Sequence, residues 1–311
     1  MRPEQENGIK MWFKNLMLYQ FTDRFSLELQ AFEAALGSHR FRPCGQVETA
    51  TEGWVSPYGK DDPVLVHSTE SCMLFILMRE EKILPASVVN DALAEKIEEI
   101  EADRGVPPGK KERAELRDQV INSLLPRAFT VRRRTQAFID LSKGWLLVDS
   151  TSSKKAEQLI TVLRQSLGSL PVERLMPGKP VTDVMTAWLS GYGLPQALAL
   201  EDTCELRDQG EDGGIIRCRK HDLAAPEVLN HLEAGKKVTR LSLAWRERLS
   251  FHLDDQFGIK GLKILELHEE ADPVDHEGDD IARLDADFRI MHGEISALIP
   301  DLLLWMSAEN K

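Results

Sequence analysis

The chain has 311 residues, 42% of them hydrophobic and 29% charged, with 39 Lys and Arg against 51 Asp and Glu and a formal net charge of -12. That is enough apolar side chain for a substantial core. No apolar run approaches the roughly 20 residues that cross a bilayer, and Met1 to Lys10 lack the apolar stretch of a secretory signal, so no membrane partner is expected and the location is expected to be cytoplasmic.

Taken in chain order, Met11 to Phe21 is rich in aromatic and apolar residues and predicts a strand. Ser26 is placed to cap a helix that runs to about Leu36 and ends at Gly37. Cys72 to Met78 is an apolar run of strand length, closed by the charged Arg79 to Lys82 and by Pro85. A helix from Ser87 to Asp103 follows, broken by Arg104-Gly-Val-Pro-Pro-Gly-Lys-Lys111, and a second from Glu112 to Leu125 folds back on it. Together they predict a charged helical hairpin that projects from a body of strands.

Beyond Pro126 the pattern has period two, with Val131, Arg133, Thr135, Ala137 and Ile139 on one side and Arg132, Arg134, Gln136 and Phe138 on the other. Lys143-Gly144 turns this into a partner strand, Trp145 to Val148. Ser152 or Ser153 caps a helix through Leu167, stopped by Gly168 and Pro171, and Pro180 to Leu189 is another helix. The last third predicts a strand over Gly213 to Lys220, a short helix from Pro226 to Glu233, and two or three strands between Lys236 and Leu265. In these, Thr239, Leu241, Leu243 and Trp245 face a core, while Arg240, Arg246 and Arg248 point outward as a basic stripe. An acidic loop, Glu266 to Asp280, leads into a final helix ending near Trp305. The fold class is therefore α+β: antiparallel sheets with flanking helices and a projecting helical hairpin.

Charge is unevenly spread. Arg104 to Arg164 carries about +7 (13 basic against 6 acidic residues) and Ile215 to Ile264 about +4 (10 against 6), between three acidic blocks of which Leu265 to Lys311 carries about -10 (3 against 13). A uniformly acidic body repels phosphate; two basic blocks allow folding either to gather cations on one surface or to leave each as a solvated face.

No catalyst is visible. The four cysteines, Cys44, Cys72, Cys204 and Cys218, form no C-x-x-C pair, which is the usage of a reduced compartment, and no two histidines stand at H-x-x-x-H spacing, so neither disulfides nor a metal nor a cofactor is expected. Asp272, Asp275, Glu277, Asp279 and Asp280 do not fit a calcium loop, whose central glycine and terminal glutamate are out of register. There is no G-x-S-x-G and no phosphate-cradling glycine motif. Pro226 to Lys236 superficially matches a helix-turn-helix, but Val-Thr-Arg-Leu-Ser-Leu after it alternates as a strand does.

Ten ordered segments carry a family resemblance: Trp12-Phe-Lys-Asn-Leu16, Pro43-Cys-Gly45, Gly53-Trp54, Glu80-Glu-Lys-Ile-Leu-Pro85, Ser123-Leu-Leu-Pro-Arg-Ala-Phe129, Lys154-Lys-Ala-Glu157, Ser166-Leu-Gly-Ser-Leu-Pro171, Glu211-Asp-Gly-Gly214, His231-Leu-Glu-Ala-Gly-Lys236 and Asp285-Ala-Asp-Phe288. Over Met11 to about Leu303 the chain resembles the bacterial recombination-associated protein RdgC family. The resemblance implies a non-enzymatic, nucleoid-associated protein that binds double-stranded DNA with little sequence preference, and single strands as well, and that antagonises RecA. It also implies a ring-shaped homodimer with a positively charged hole. On that pattern residues 1–10 are an N-terminal extension, 11–85 and 126–185 a central α+β domain, 86–125 a hairpin tip and 186–311 a C-terminal base domain. Phe129 resembles the aromatic plug of one subunit contact, and Lys220 a lysine engaged with DNA, followed here by His221 where Gln is usual. The expected DNA-binding residues are Lys110, Lys111, Arg113, Arg117, Arg127, Arg132 and Arg134 in the first basic block, and Arg217, Arg219, Lys220, His221, Lys236 and Arg240 in the second. Two other readings stand beside this one: a metal-dependent nuclease using the acidic C-terminal region, and an acidic DNA mimic that binds a basic partner.

Overall fold

The computed structural model describes residues 12–60, 62–210, 213–265 and 280–307. They form an α+β fold around one long antiparallel sheet path. In the first half, β1 (Asn15–Phe21), β2 (Ala50–Val55), β3 (Val66–Ser68), β4 (Cys72–Ile83), β5 (Phe129–Asp140), β6 (Trp145–Val148) and β7 (Val172–Arg174) assemble with α1 (Leu29–Gly37) and α4 (Ser153–Leu167). Between β4 and β5 stands the hairpin of α2 (Ala86–Arg104) and α3 (Lys110–Leu124). In the second half, β8 (Leu198–Arg207), β9 (Ile215–Arg219), β10 (Lys237–Trp245), β11 (Leu249–Asp254) and β12 (Ile259–Ile264) are accompanied by α5 (Val181–Leu189), α6 (Pro226–Glu233) and α7 (Asp280–Trp305). The strand order is β2-β4-β5-β6-β1-β12-β11-β10-β8-β9, with β3 on β4 and β7 on β1.

The middle of this sheet is buried on both faces. Met17, Tyr19, Phe75, Ala137, Ile139 and Leu146 pack under α1 and α4. Leu16, Leu18, Leu74, Phe138 and Leu147, pointing the other way, pack with Phe288, Met291 and Ile295 of α7. Double burial is why Trp145 to Val148 and Cys72 to Met78 read as unbroken apolar runs rather than alternating ones.

Other departures from the sequence reading have local causes. Helix α1 starts at Leu29, after Ser26, because Phe25 holds the preceding segment extended against the core, its ring 5.0 Å from Phe21 and 5.9 Å from Phe32. Strand β4 does not stop at Met78 but runs to Ile83, paired with β5 residue for residue down to Ile83 opposite Phe129. Strands β2, β3, β7 and β8 were not anticipated. A register shift in β10 between Val238 and Arg240 puts Val238, not Thr239, in the core. Arg246 and Arg248 do not join an outward stripe: Arg246 lies over the Trp245 ring and 2.9 Å from Asp301, and Arg248 pairs with Glu294, so both face α7. The segment after α6 is strand β10, which removes the helix-turn-helix. Most of the predicted acidic loop, up to residue 279, lies outside the described residues, as does Met11.

The hairpin forms as predicted. Gly105, at φ 71, takes the left-handed C-cap of α2 that a side chain would disfavour, and Arg104 bonds Glu112 across the turn at 2.6 Å. Its apolar contacts, Val89, Leu116 and Val120, are buried but belong to neither core. The hairpin therefore stands off the body on a small seam of its own.

Helix α7 is tied to the sheet by Asp140 at the end of β5. One Asp140 oxygen accepts from the Ser142 N–H (2.9 Å), the Ser142 hydroxyl (2.6 Å) and the Lys143 N–H (3.0 Å); the other meets His292 Nε2 at 2.8 Å. The bond to Asp140 raises His292 to about 9. Burial pushes Asp140 up, but the bonds from His292, Ser142 and the Lys143 N–H outweigh it and bring Asp140 down to about 2. Stability supplied through His292 is complete below its unfolded pKa of about 6.5 and fades as pH rises through about 9; that supplied through Asp140 is complete above about 3.9 and fades as pH falls toward about 2. Thermal unfolding followed by circular dichroism should show His292→Gln lowering Tm at pH 6 by about 5 °C and flattening the decline between pH 7 and 10. A variant that keeps the wild-type alkaline limb would show that this pair does not hold α7.

Candidate nucleic-acid interface

The expected DNA-binding residues fall into two regions that the fold keeps apart. Lys110, Lys111, Arg113 and Arg117 lie on α3, Arg127 in the single 3-10 turn that follows it, and Arg132 and Arg134 on β5. All seven are exposed or half-exposed, in one unbroken run of chain. Arg217 and Arg219 lie on β9, Lys220 and His221 just after it, and Lys236 and Arg240 at β10. Six strands of the sheet path stand between β5 and β9, so the candidates of a single chain fall in two separate regions and not one patch.

The first region exists because β4 and β5 outrun their neighbours. Strand β6 pairs only with Ala137 to Asp140, so the segment from Phe129 to Thr135 has β4 on one side and no strand on the other. With no core to fill, this ribbon carries charge on both faces. On one face Arg133 reaches Glu81 at 3.2 Å, and Arg79 bonds Glu81 at 2.6 Å and Glu52 at 3.0 Å. On the other face Arg132 Nε donates to Glu80 at 2.5 Å, and the guanidinium lies 5.6 Å from the centre of the Phe41 ring. Glu80 is only 2% exposed and also accepts from the Cys44 N–H at 2.7 Å. Burial alone would raise this carboxyl; the Cys44 and Arg132 bonds prevail and hold it below the usual range. Arg134, two residues on and on the same face, has no carboxylate partner among the described residues.

The second region repeats this arrangement. Glu205, on β8, is buried and accepts from Arg217 Nε at 2.7 Å and from the Thr239 hydroxyl at 3.3 Å, and the Arg217 bond chiefly lowers its pKa. Arg219, two residues further along, is exposed and unpaired among the described residues. Lys220 follows at φ 53, a left-handed conformation that lifts its side chain out of the strand. His221 meets Glu227 at 3.3 Å, and Lys236 is held by Asp208 at 2.5 Å. Arg240 is half-buried, its Nε without a hydrogen-bond partner.

Four of the thirteen candidates, Arg132, Arg217, His221 and Lys236, are thus already engaged by carboxylates. The other nine form no ion pair among the described residues, although Arg240 is near enough to help lower Glu205, Arg113 donates to the Pro108 carbonyl and Arg117 to Asn90 Oδ1. Sequence reasoning missed the acceptors Glu80 and Glu205, whose only signal is a carboxylate inside a strand. It also missed the one group of metal-ligand type among the described residues, Cys72, Asp140 and His292, whose donor atoms lie within 4.8 Å of one another. That group is the tie between β5 and α7, and its carboxylate already accepts the bonds described above. No helix among the described residues is long and apolar enough to cross a membrane.

The α+β sheet thus displays exposed cations that form no ion pair among the described residues, on a chain of net charge -12. The comparisons with known proteins define it further. A profile of the family described as "Putative exonuclease, RdgC" matches residues 11–309. The recombination-associated protein RdgC of Tolumonas auensis is 44% identical over 301 residues, covering 96% of this chain and 99% of its own length. That of Pseudomonas aeruginosa PAO1 is 43% identical over 301 residues (96% and 98%), and that of Aeromonas hydrophila 43% over 302 (97% and 99%). The chain belongs to the RdgC family.

The two arginines of β5 should separate on substitution. Arg132→Ala leaves a buried carboxylate without its charged partner and should cost about 1 to 3 kcal/mol, whereas Arg134→Ala should change stability by less than about 0.5 kcal/mol. Urea denaturation of the two variants measures the difference. Equal stabilities would mean that Glu80 does not depend on Arg132.

Proposed function

We propose that the protein binds double-stranded DNA without sequence preference, encircles it as a homodimeric ring, and limits RecA-promoted recombination by occupying the DNA, without catalysing a reaction. The observation that carries the reading is the set of nine candidate cations with no carboxylate partner among the described residues, in a chain of net charge -12. Such side chains gain by displacing counter-ions from a phosphate backbone, a term indifferent to base sequence.

Ring closure is supported by the separation of the two basic regions and by the tip of the β4–β5 ribbon. Phe129 is 85% exposed there, and Ile83, opposite it across the strands, is 47% exposed. An aromatic left in water at the end of a ribbon is suited to burial against the same surface of a second copy, as a two-fold contact requires. In this reading residues 11–85 and 126–185 form the central domain, 86–125 the tip and 186–311 the base, and the protein works in the cytoplasm on the nucleoid. The family's description as an exonuclease raises a nuclease as the rival. Of the acidic C-terminal region that would serve it, residues 266–279 lie outside the described residues, and Asp285, Glu294 and Asp301 of α7 are paired with Arg289, Arg248 and Arg246.

Three measurements test the proposal. Fluorescence anisotropy with random duplex DNA should show log affinity falling linearly with log salt, and Lys110→Ala with Lys111→Ala should reduce that slope by about 0.9 for each phosphate no longer neutralised. Equal slopes would take the hairpin out of the interface, and no binding at all would favour the DNA mimic. Closed circular DNA should retain the protein at high salt longer than a linear fragment of the same length; equal loss from both rules out encirclement. Plasmid incubated with the protein and magnesium or manganese should stay covalently intact, and nicking or shortening would establish a nuclease.

A further inference from the structure

The surface between β2 and the ribbon contains a cavity of about 660 Å³ that shares Arg132 and Arg134 with the expected DNA track. It owes its shape to a close crossing of backbone. The chain at His39 to Phe41 runs directly over β2, with the Phe41 N–H donating to the Trp54 carbonyl (3.0 Å) and the Trp54 N–H to the His39 carbonyl (2.9 Å). Gly53 permits this, since a Cβ there would lie 2.5 Å from the Phe41 backbone. Phe41 is thereby laid on the outer side of the ribbon, beside Pro43, Val55 and Met78, which form the apolar part of the lining. Arg40, Lys60, Arg132 and Arg134 supply its cationic part, with Asp62 the one carboxylate among the described lining residues. Asp62 is turned to its own loop, accepting from the Val64 N–H at 2.8 Å. Arg132 is fixed by Glu80 and stacked against the Phe41 ring, while Lys60 and Arg134 have no ion-pair partner among the described residues.

An apolar slot bounded by an aromatic ring, a stacked guanidinium and two cations without ion-pair partners among the described residues suits a flat heteroaromatic ring joined to a phosphate. A duplex cannot offer this, because its bases are stacked and paired inside the helix. We infer that this cavity takes an unstacked nucleotide of single-stranded DNA, its base against Phe41 and Arg132 and its phosphate toward Arg134 and Lys60. The inference rests on the proposed DNA binding; single-strand binding is what the family resemblance implies, and the inference assigns it a site, in which affinity comes partly from base stacking and not from phosphates alone.

The test compares three ligands on the full-length protein: an oligothymidylate of about 12 nucleotides, within the usual span of a single-strand site, the same length of abasic deoxyribose phosphate, and a random duplex. Base–aromatic stacking is worth about fivefold or more in affinity per base, so the wild-type protein should bind the abasic strand at least about fivefold more weakly than the oligothymidylate. Phe41→Leu keeps the bulk and the backbone crossing but removes the flat face. It should bring oligothymidylate binding down toward the abasic level while leaving duplex binding within about twofold. Equal affinity of the wild type for the abasic strand and the oligothymidylate overturns the inference, and that measurement needs no variant. Loss of duplex and single-strand binding together in Phe41→Leu, with an unchanged unfolding transition, overturns it as well. Free thymidine monophosphate should compete only at millimolar concentration; micromolar competition would assign the cavity to a soluble nucleotide instead and overturn the single-strand assignment. If the wild-type protein binds none of the DNA ligands, it is the proposed DNA-binding function that fails.

Discussion

Strand β1 is the constraint on which the rest of the molecule depends. It is seven residues long and hydrogen-bonded along both edges, to β6 on one and to β12 and β7 on the other. Alternate side chains serve separate cores, Leu16 and Leu18 under α7, Met17 and Tyr19 under α1 and α4. Because both halves of the sheet meet on this strand, the β4–β5 ribbon and the β8–β9 edge are held at fixed, opposite ends of one path. The charged regions begin where this two-sided burial stops. Residues of β5 from Ala137 onward are buried on both faces, and those before Thr135 are open to solvent on both. One strand thus passes from core to interface within a few residues, and the interface inherits the rigidity of the core.

The same device occurs at both ends. A carboxylate within a strand, Glu80 or Glu205, is buried and receives an arginine from the neighbouring strand, Arg132 or Arg217. The arginine two residues further along, Arg134 or Arg219, points to the same side and has no such partner among the described residues. A buried carboxylate left unpaired costs about 1 to 3 kcal/mol, so the first arginine is committed to the fold. The second is not. Counting cations along the chain therefore overstates the binding track, since part of the positive charge is consumed in keeping acidic strands folded.

This also defines what was legible in the sequence. The hairpin was legible because its punctuation, Gly105 through Gly109, is local, and strand β5 was legible because Val131 to Ile139 alternates. Strand β8 was hidden by Glu201, Asp202 and Glu205, which break its apolar pattern; one of them is nonetheless buried, which only the pairing with Arg217 makes possible. The extension of β4 past Met78 was hidden for the same reason, as Arg79 to Lys82 looks like a loop until β5 supplies opposite charges in register. Which cations are free was not legible at all. That depends on cross-strand register, a long-range property that a one-residue slip would invert. Arg246 and Arg248 show the cost: their alternation pointed outward, but α7 brings Asp301 and Glu294 to them.

Under the proposed function, how a chain of net charge -12 would hold a polyanion is a question of distance and not of totals. At physiological ionic strength the screening length is about 8 Å, shorter than the width of two strands of sheet. A phosphate at the ribbon senses Arg134, Arg127 and the lysines of α3, whereas acidic residues several strands away are screened. Carboxylates beside the ribbon are the ones that matter, and the two nearest on it, Glu80 and Glu81, are each bonded to an arginine. At about 0.01 M salt the screening length grows to about 30 Å, and the acidic remainder of the chain is felt at the same phosphate. Attraction at the cationic track and repulsion from the body thus have different ranges, and salt weakens the long-range repulsion before it weakens the short-range contacts.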